Sequence, residues 1–312
     1  MKVRVLVAAC ALVTAGPLLA QERPAAPTDE PVSVFSSGLE MVNLTLSVRD
    51  PQGTLVDDLS ADDFRVTEDG RPQAVRLFAR AVEPEERSEL TLDLGLLLDT
   101  SESMARELRL SQEAAVRFLE AIPRARELLT VFFDQDIRIS RYDSEHQQGL
   151  IERIFDAKGS GNTALYDAIT VYLSRVAESS GRKVLVLFTD GDDTTSEVSL
   201  GELMGLVRGS STTIYPVAFT GSYTLGDKRS LSARAFVQQL ADISGGAVFL
   251  PQTSKDLPRI YDKILAELRS QYVIGYVSDN AKRDGKFRKL RVAVARPGLK
   301  VRHRQGYLAP NS

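Results

Sequence analysis

Leu94-Gly-Leu-Leu-Leu-Asp99-Thr-Ser101-Glu-Ser103-Met104 is an apolar run that stops on a carboxylate and two hydroxyls at alternate positions. From Leu92 to Leu98 the run is nearly unbroken, as for a strand covered on both faces. A carboxylate and hydroxyls at the mouth of such a strand can ring one hard cation, and oxygen donors suit Mg²⁺ or Mn²⁺ far better than zinc. An Asp-x-Ser-x-Ser is short and arises readily by chance. Its weight depends on what the rest of the chain brings to the same place.

Outward from this stretch, apolar residues recur at helical spacing at Leu108, Ala115, Leu119 and Ile122. Strands are expected at Leu128–Phe133, with a short neighbour at Ile137–Arg141, and at Val184–Phe188. A helix through Leu165, Ile169, Tyr172 and Val176 lies between them, and Leu200–Val207, Ile214–Phe219, Phe236–Ile243, Val248–Leu250 and Leu257–Leu268 continue the alternation. Strands alternating with helices predict an α/β fold, a doubly wound and mostly parallel sheet with helices on both faces.

In open α/β sheets, ligands sit beyond the carboxyl ends of the strands. Asp99 stands there, and so does Asp190 in Phe188-Thr-Asp190-Gly-Asp192-Asp193. Thr163 closes the loop Lys158-Gly-Ser-Gly-Asn-Thr163, just before a helix. Three loops on one sheet edge thus offer a carboxylate with two hydroxyls, a third hydroxyl and a second carboxylate. Taken singly, Ser101 and Ser103 also read as helix N-caps and Asp190 as a turn cap. Asp192, Asp193 and Glu197 read as a solvated acidic loop, and Asp167 as a helix-surface or supporting polar residue rather than a ligand. The loops 192–199 and 221–230 rim the same edge and are natural specificity elements.

The flanks have a different period. Val42, Leu44, Leu46 and Val48 alternate with polar residues until Asp50-Pro-Gln-Gly53, and residues 64–68 and 73–77 flank the hairpin turn Asp69-Gly70. After Gln271, Tyr272–Val277, Leu290–Val294 and a closing strand near Lys300–His303 are again β. Each half has too few strands to bury a core alone. The α/β region is therefore expected to be inserted into or flanked by one small β-sandwich, the alternative being two unrelated β extensions. The division is 38–87 and 271–309 for the sandwich parts and 88–270 for the α/β domain.

Lys2 and Arg4, the apolar stretch Val5–Ala20 broken by Gly16-Pro17, and polar Gln21-Glu-Arg23 read as a signal peptide over residues 1–20. An uncleaved anchor is the rival reading. Residues 21–37 form a flexible tether. Cleavage removes Cys10, the single cysteine, and with it any disulfide or thiol chemistry. A formal net charge of −3 argues against a general nucleic-acid binder. The expected setting is secreted, periplasmic or cell-envelope, with no membrane span after cleavage.

Asp99-Thr-Ser101-Glu-Ser103, Gly161-Asn-Thr163-Ala-Leu-Tyr-Asp-Ala and Thr189-Asp190-Gly191 resemble the metal-ion-dependent adhesion site (MIDAS) of von Willebrand factor A (VWA) domains, and the flanking β segments resemble those of secreted bacterial VWA-related proteins. The resemblance covers about residues 88–270. It implies a Mg²⁺ (or Mn²⁺) held directly by Ser101, Ser103 and Thr163, with Asp99 and Asp190 acting mainly through water. It also implies a partner protein that presents Glu or Asp to the metal, and coupling of the site to a last helix near Leu257–Leu268.

The two histidines, His146 and His303, sit in polar surroundings that read as solvated, and no Gly-x-Ser-x-Gly elbow or phosphate-binding glycine loop occurs. An exported adhesion module rather than an enzyme is the expectation. A metal-dependent hydrolase and an envelope scaffold braced by the metal are the alternatives.

Overall fold

The computed structural model describes residues 41–81, 91–122, 125–142, 147–179, 181–219 and 228–311. The signal peptide, the tether, residues 38–40 and 82–90, His146 and the 221–227 part of the rim loop lie outside the described residues.

Four strands come first: β1 (Met41–Arg49), β2 (Phe64–Glu68), β3 (Arg71–Gln73) and β4 (Val75–Arg80). The α/β region holds β5 (Leu92–Asp99), α1 (Leu108–Ala121), β6 (Glu127–Phe133), β7 (Ile137–Tyr142), α2 (Gln147–Asp156), α3 (Leu165–Val176), β8 (Arg182–Thr189), α4 (Leu200–Gly209), β9 (Thr213–Ala218), α5 (Lys228–Ser244) and α6 (Leu257–Arg269). The chain then closes with β10 (Tyr272–Val277), β11 (Phe287–Val294), β12 (Lys300–Arg302) and β13 (Gly306–Leu308).

The central sheet runs β7-β6-β5-β8-β9. It is parallel except for β7, which returns antiparallel to β6. Every residue of β5 is buried, as its unbroken apolar run demands. Alternate β5 side chains feed opposite cores. Leu92, Leu94, Leu96 and Leu98 pack with α1, α2 and α6, whereas Leu97 packs with α3, α4 and α5. Local chemistry sets the helix ends. Ser199 and Glu202 form a reciprocal capping box at α4, and Pro258 stands in the first turn of α6, where its missing N–H costs nothing.

Two expectations change here. The strand expected at Val248–Leu250 reduces to one residue, Phe249, bridged to Val217 between the glycines 245–246 and Pro251. Helix α5 begins at Lys228, ahead of the apolar period that starts at Phe236.

The flanking strands form two antiparallel sheets, β12-β1-β10-β4 and β13-β11-β2-β3. Each sheet joins strands from before and after the α/β region, alternating in the first and side by side in the second. Their inner faces share one core that includes Leu44, Leu46, Phe64, Val66, Tyr272, Ile274 and Leu290. The chain's exit from the α/β region is tied to its entry, since Ala81 N donates to Gln271 O at 2.9 Å. His303, read as solvated, is half-buried instead. The strand period ends at Arg302, where the chain crosses from one sheet to the other, and the imidazole bonds main-chain groups on both sides.

Candidate metal site

Asp99 ends β5 and is completely buried. Its Oδ1 accepts the Ser101 N–H at 3.0 Å and the Ser101 hydroxyl at 2.6 Å, and the Ser101 and Ser103 hydroxyls lie 3.0 Å apart. Ser101 occupies the N-cap position of a 3-10 turn over 102–104, yet its side chain makes no cap bond. Its hydroxyl is committed to Asp99 and Ser103 instead. The other Asp99 oxygen, Oδ2, accepts the Thr189 hydroxyl at 2.7 Å.

Backbone bonds lace the loops together. Ser160 N donates to Thr100 O at 2.9 Å and Glu102 N to Gly161 O at 3.1 Å, which docks the loop carrying Thr163 onto the Asp99 loop. Thr194 N and Thr195 N both donate to Thr163 O, and Thr163 N donates to the Thr194 hydroxyl at 2.9 Å. The loop after Asp190 is thereby fastened to Thr163. Asp190 is buried, with Oδ1 accepting Asp192 N at 3.1 Å, so the turn-cap reading holds for this oxygen. Thr163 and Ser101 are buried as well, whereas Ser103 is exposed and marks the solvent side of the cluster.

The electrostatics of the cluster fit a cation. Burial first, and the negative charge of Asp190 second, push Asp99 up to about 7, against the opposing hydrogen bonds from Ser101 and Thr189. Two carboxylates held this way repel each other in a desolvated place, and a positive ion between them offsets that repulsion. The remaining donors are hydroxyls, the chemistry of a Mg²⁺ or Mn²⁺ site. Among the described residues, no group of three or more His, Cys, Asp or Glu is placed to hold a metal, so the hydroxyls are indispensable to any such site.

The neighbouring acids have other tasks. Asp167 accepts Glu197 N and Val198 N, each at 2.9 Å, and so pins the rim loop. Asp193 Oδ1 accepts Tyr166 N and the Ser196 hydroxyl at the start of α3. These bonds replace the solvated-loop reading of Asp193. Three supports escaped the sequence reading: Thr189, Thr194 and the Thr100–Asp134–Arg138 set. In that set, Arg138 Nη2 lies 2.7 Å from Asp134 Oδ2 and 3.1 Å from the Thr100 hydroxyl. Asp134 was findable, because it follows β6 at the same sheet edge. Thr189 stands in the quoted Thr189-Asp190-Gly191, but its bond to Asp99, like that of Thr194 to Thr163, becomes visible only once the loops are folded.

The family model for the von Willebrand factor type A domain matches residues 93–263. Similar solved structures include a von Willebrand factor type A protein from Catenulispora acidiphila, with 12% identity over 86% of this chain and 73% of that one and a TM-score of 0.49. The PilB minor pilin of Streptococcus sanguinis shares 10% identity over 59% of this chain and 62% of its own, TM-score 0.47. The vWF domain of the type V pili tip protein Mfa5 from Porphyromonas gingivalis shares 12% identity over 56% of this chain and 94% of its own, TM-score 0.44. No curated protein matches the sequence.

Proposed function

The chain belongs to the von Willebrand factor type A domain family, and from that membership we propose that it is an exported, metal-dependent protein-binding module. The observation that carries this reading is the buried Asp99, bonded to Ser101 and Thr189 and facing the charge of Asp190, with the Ser103 hydroxyl 3.0 Å from Ser101 on the exposed side. Ser101, Ser103 and Thr163 would hold the ion directly, with Asp99 and Asp190 acting through water. A bound Mg²⁺ would supply a positive centre short of anionic ligands, which a partner's Glu or Asp carboxylate completes.

The protein's own residues prepare that encounter. Asp99 orients the Ser101 hydroxyl, Thr189 fixes the second Asp99 oxygen, and Thr194 fixes the Thr163 main chain, so little ordering is left for the moment of binding. A hydrolase needs a positioned base beside the metal. Two rim acids, Asp167 and Asp193, are already bonded to main-chain N–H groups, which favours binding over catalysis. Export to the periplasm, cell envelope or exterior is part of the proposal and rests on residues 1–20.

The test is capture from envelope extract on the immobilised protein, with Mg²⁺ and with EDTA in parallel, and on Asp99→Ala and Ser101→Ala variants. Capture that needs Mg²⁺ and is lost in both variants is expected. Binding that survives EDTA and both substitutions sinks the mechanism.

A further inference from the structure

At residues 303–305 the chain crosses from β12, in one sheet of the sandwich, to β13 in the other. Such a corner leaves β11 main-chain donors without a strand partner. Leu290 N still finds Gln305 O at 2.9 Å, but Val292 N, two residues on, donates to a side chain, His303 Nε2, at 3.1 Å. His303 Nδ1 lies 2.6 Å from Arg304 O. A carbonyl only accepts, so Nδ1 carries the proton and Nε2 is the bare, accepting nitrogen. The neutral imidazole thus stands in for a strand.

The same corner is where the sandwich meets the end of α5. Gln305 N donates to Ile243 O at 3.1 Å. Gly245, at φ +80°, lets the two backbones touch: a Cβ there would sit 2.6 Å from Arg304 N and 3.0 Å from His303 Cα. Next to it, the buried Arg304 donates to Ser210 O at the end of α4 and to Asn43 O of β1.

We propose that His303 is an acid-sensitive latch, whose protonation at Nε2 removes the acceptor of Val292 and loosens the seam between the sandwich corner and α5. A protonated ring would turn an N–H toward the Val292 N–H, and two donors cannot bond. The charged groups around the ring give the cation no welcome. Arg302 and Arg304 flank it in sequence, and Lys289 of β11 lines the same cleft of about 580 Å³ with Phe287, Leu290 and Gln305. Glu267 of α6 is bonded to Arg302 and is already shared with Arg49, Ser47 and Tyr215. Burial lowers the affinity of His303 for a proton, the Arg304 carbonyl opposes this, and the positive charge of Arg304 adds to the lowering. With the folded value below the unfolded one of about 6.5, the latch contributes fully above that pH and is lost as pH falls through the folded value.

Amide exchange and imidazole NMR on the full chain test this, and the two histidines make the imidazole spectrum simple to assign against His303→Gln. The Nδ1–H tautomer is expected at pH 7.5, with a titration midpoint below 6.5. The Val292 and Gln305 amides should lose up to about tenfold in protection, corrected for intrinsic exchange, for each pH unit from 6.5 down to that midpoint, and level off below it. His303→Gln should show equal protection at pH 7.5 and 5.0. A midpoint at 6.5 or above, protection that does not change with pH, or the same loss in His303→Gln overturns the proposal. If the variant does not fold, the wild-type midpoint and the Val292 protection decide alone.

Discussion

The Tyr215 hydroxyl on β9 donates to Glu267 Oε1 of α6 at 2.8 Å, and neither side chain is exposed. Around this bond the α/β domain and the sandwich share one buried carboxylate. Ser47 and Arg49 of β1 and Arg302 of β12 reach Glu267 from the sandwich. Gln271, at the exit from α6, donates to Tyr215 Oη at 2.7 Å and accepts from Arg182. Removing one partner of a buried charged set leaves the others uncompensated. Arg49 and Arg302 are each about one-third exposed, 35% and 32%, so water relieves part of that cost. Glu267→Ala is expected to lose about 3 kcal/mol, the low end for a broken buried pair. Denaturant melts of wild type and variant measure it, and a loss under about 1 kcal/mol would mean that the cluster behaves as a surface pair.

Glu267 also gives the junction an acid limit. Burial alone would raise its affinity for a proton, but Arg302, Tyr215 and Arg49 outweigh burial and hold the carboxyl below its ordinary 4.5. A folded value below the unfolded one means stability that is present above about 4.5 and lost as pH falls through the folded value. The loss in wild type between pH 5 and 3 should shrink in Glu267→Gln. This loss sets in at about 4.5 and that of His303 at about 6.5, so melts in steps of half a pH unit follow the two onsets.

Gly95, in the middle of β5, has the Tyr172 ring of α3 where a side chain would stand. A Cβ there would meet Tyr172 Cε2 at 2.1 Å, and the Tyr172 hydroxyl is anchored on Val184 O at 3.1 Å. Gly95→Ala therefore overpacks the core and should cost about 3 kcal/mol or more. Tyr172→Leu removes the obstruction, so the double variant should be more stable than the sum of the two losses predicts. Simple additivity in a double-mutant cycle would show that the clash is relieved by backbone movement instead.

The parts that were legible before folding were those carried by one element. The β5 run declared a strand buried on both faces, and Asp99 and Asp190 could be placed because strand ends in an α/β sheet share an edge. The sandwich was legible only as halves. That β1 lies between β12 and β10 depends on pairing across more than 200 residues, which no local period records. The three-residue strand β13 is too short for alternation to register. His303 was misread for a related reason: Arg302-His-Arg304 looks like a charged strand edge, yet a sheet crossing begins there. Thr194 and Asp167 gain their roles from loops that meet only in the folded chain.

Asp167 supplies a test of how much the rim supports the proposed metal site. It touches none of Asp99, Ser101, Ser103 or Asp190 through any described bond, yet both its oxygens hold the loop that runs back from Asp190 to α4. That loop fastens Thr163 through Thr194 and Thr195. Asp167→Ala should free the Glu197 and Val198 amides, seen as faster exchange at those two positions. Groups that orient ligands from behind typically cost 10–100-fold in metal affinity when removed. Mg²⁺ affinity by calorimetry should accordingly fall about tenfold, with no loss of the bonds that Asp99 makes to Ser101 and Thr189. Asp99→Asn separates the two levels. In EDTA it should be at least as stable as wild type, because a buried charge beside Asp190 is gone. At Mg²⁺ near 100 times the wild-type Kd, wild type alone should gain about 2.7 kcal/mol. An equal Mg²⁺ response in wild type and Asp99→Asn would move the metal away from this cluster.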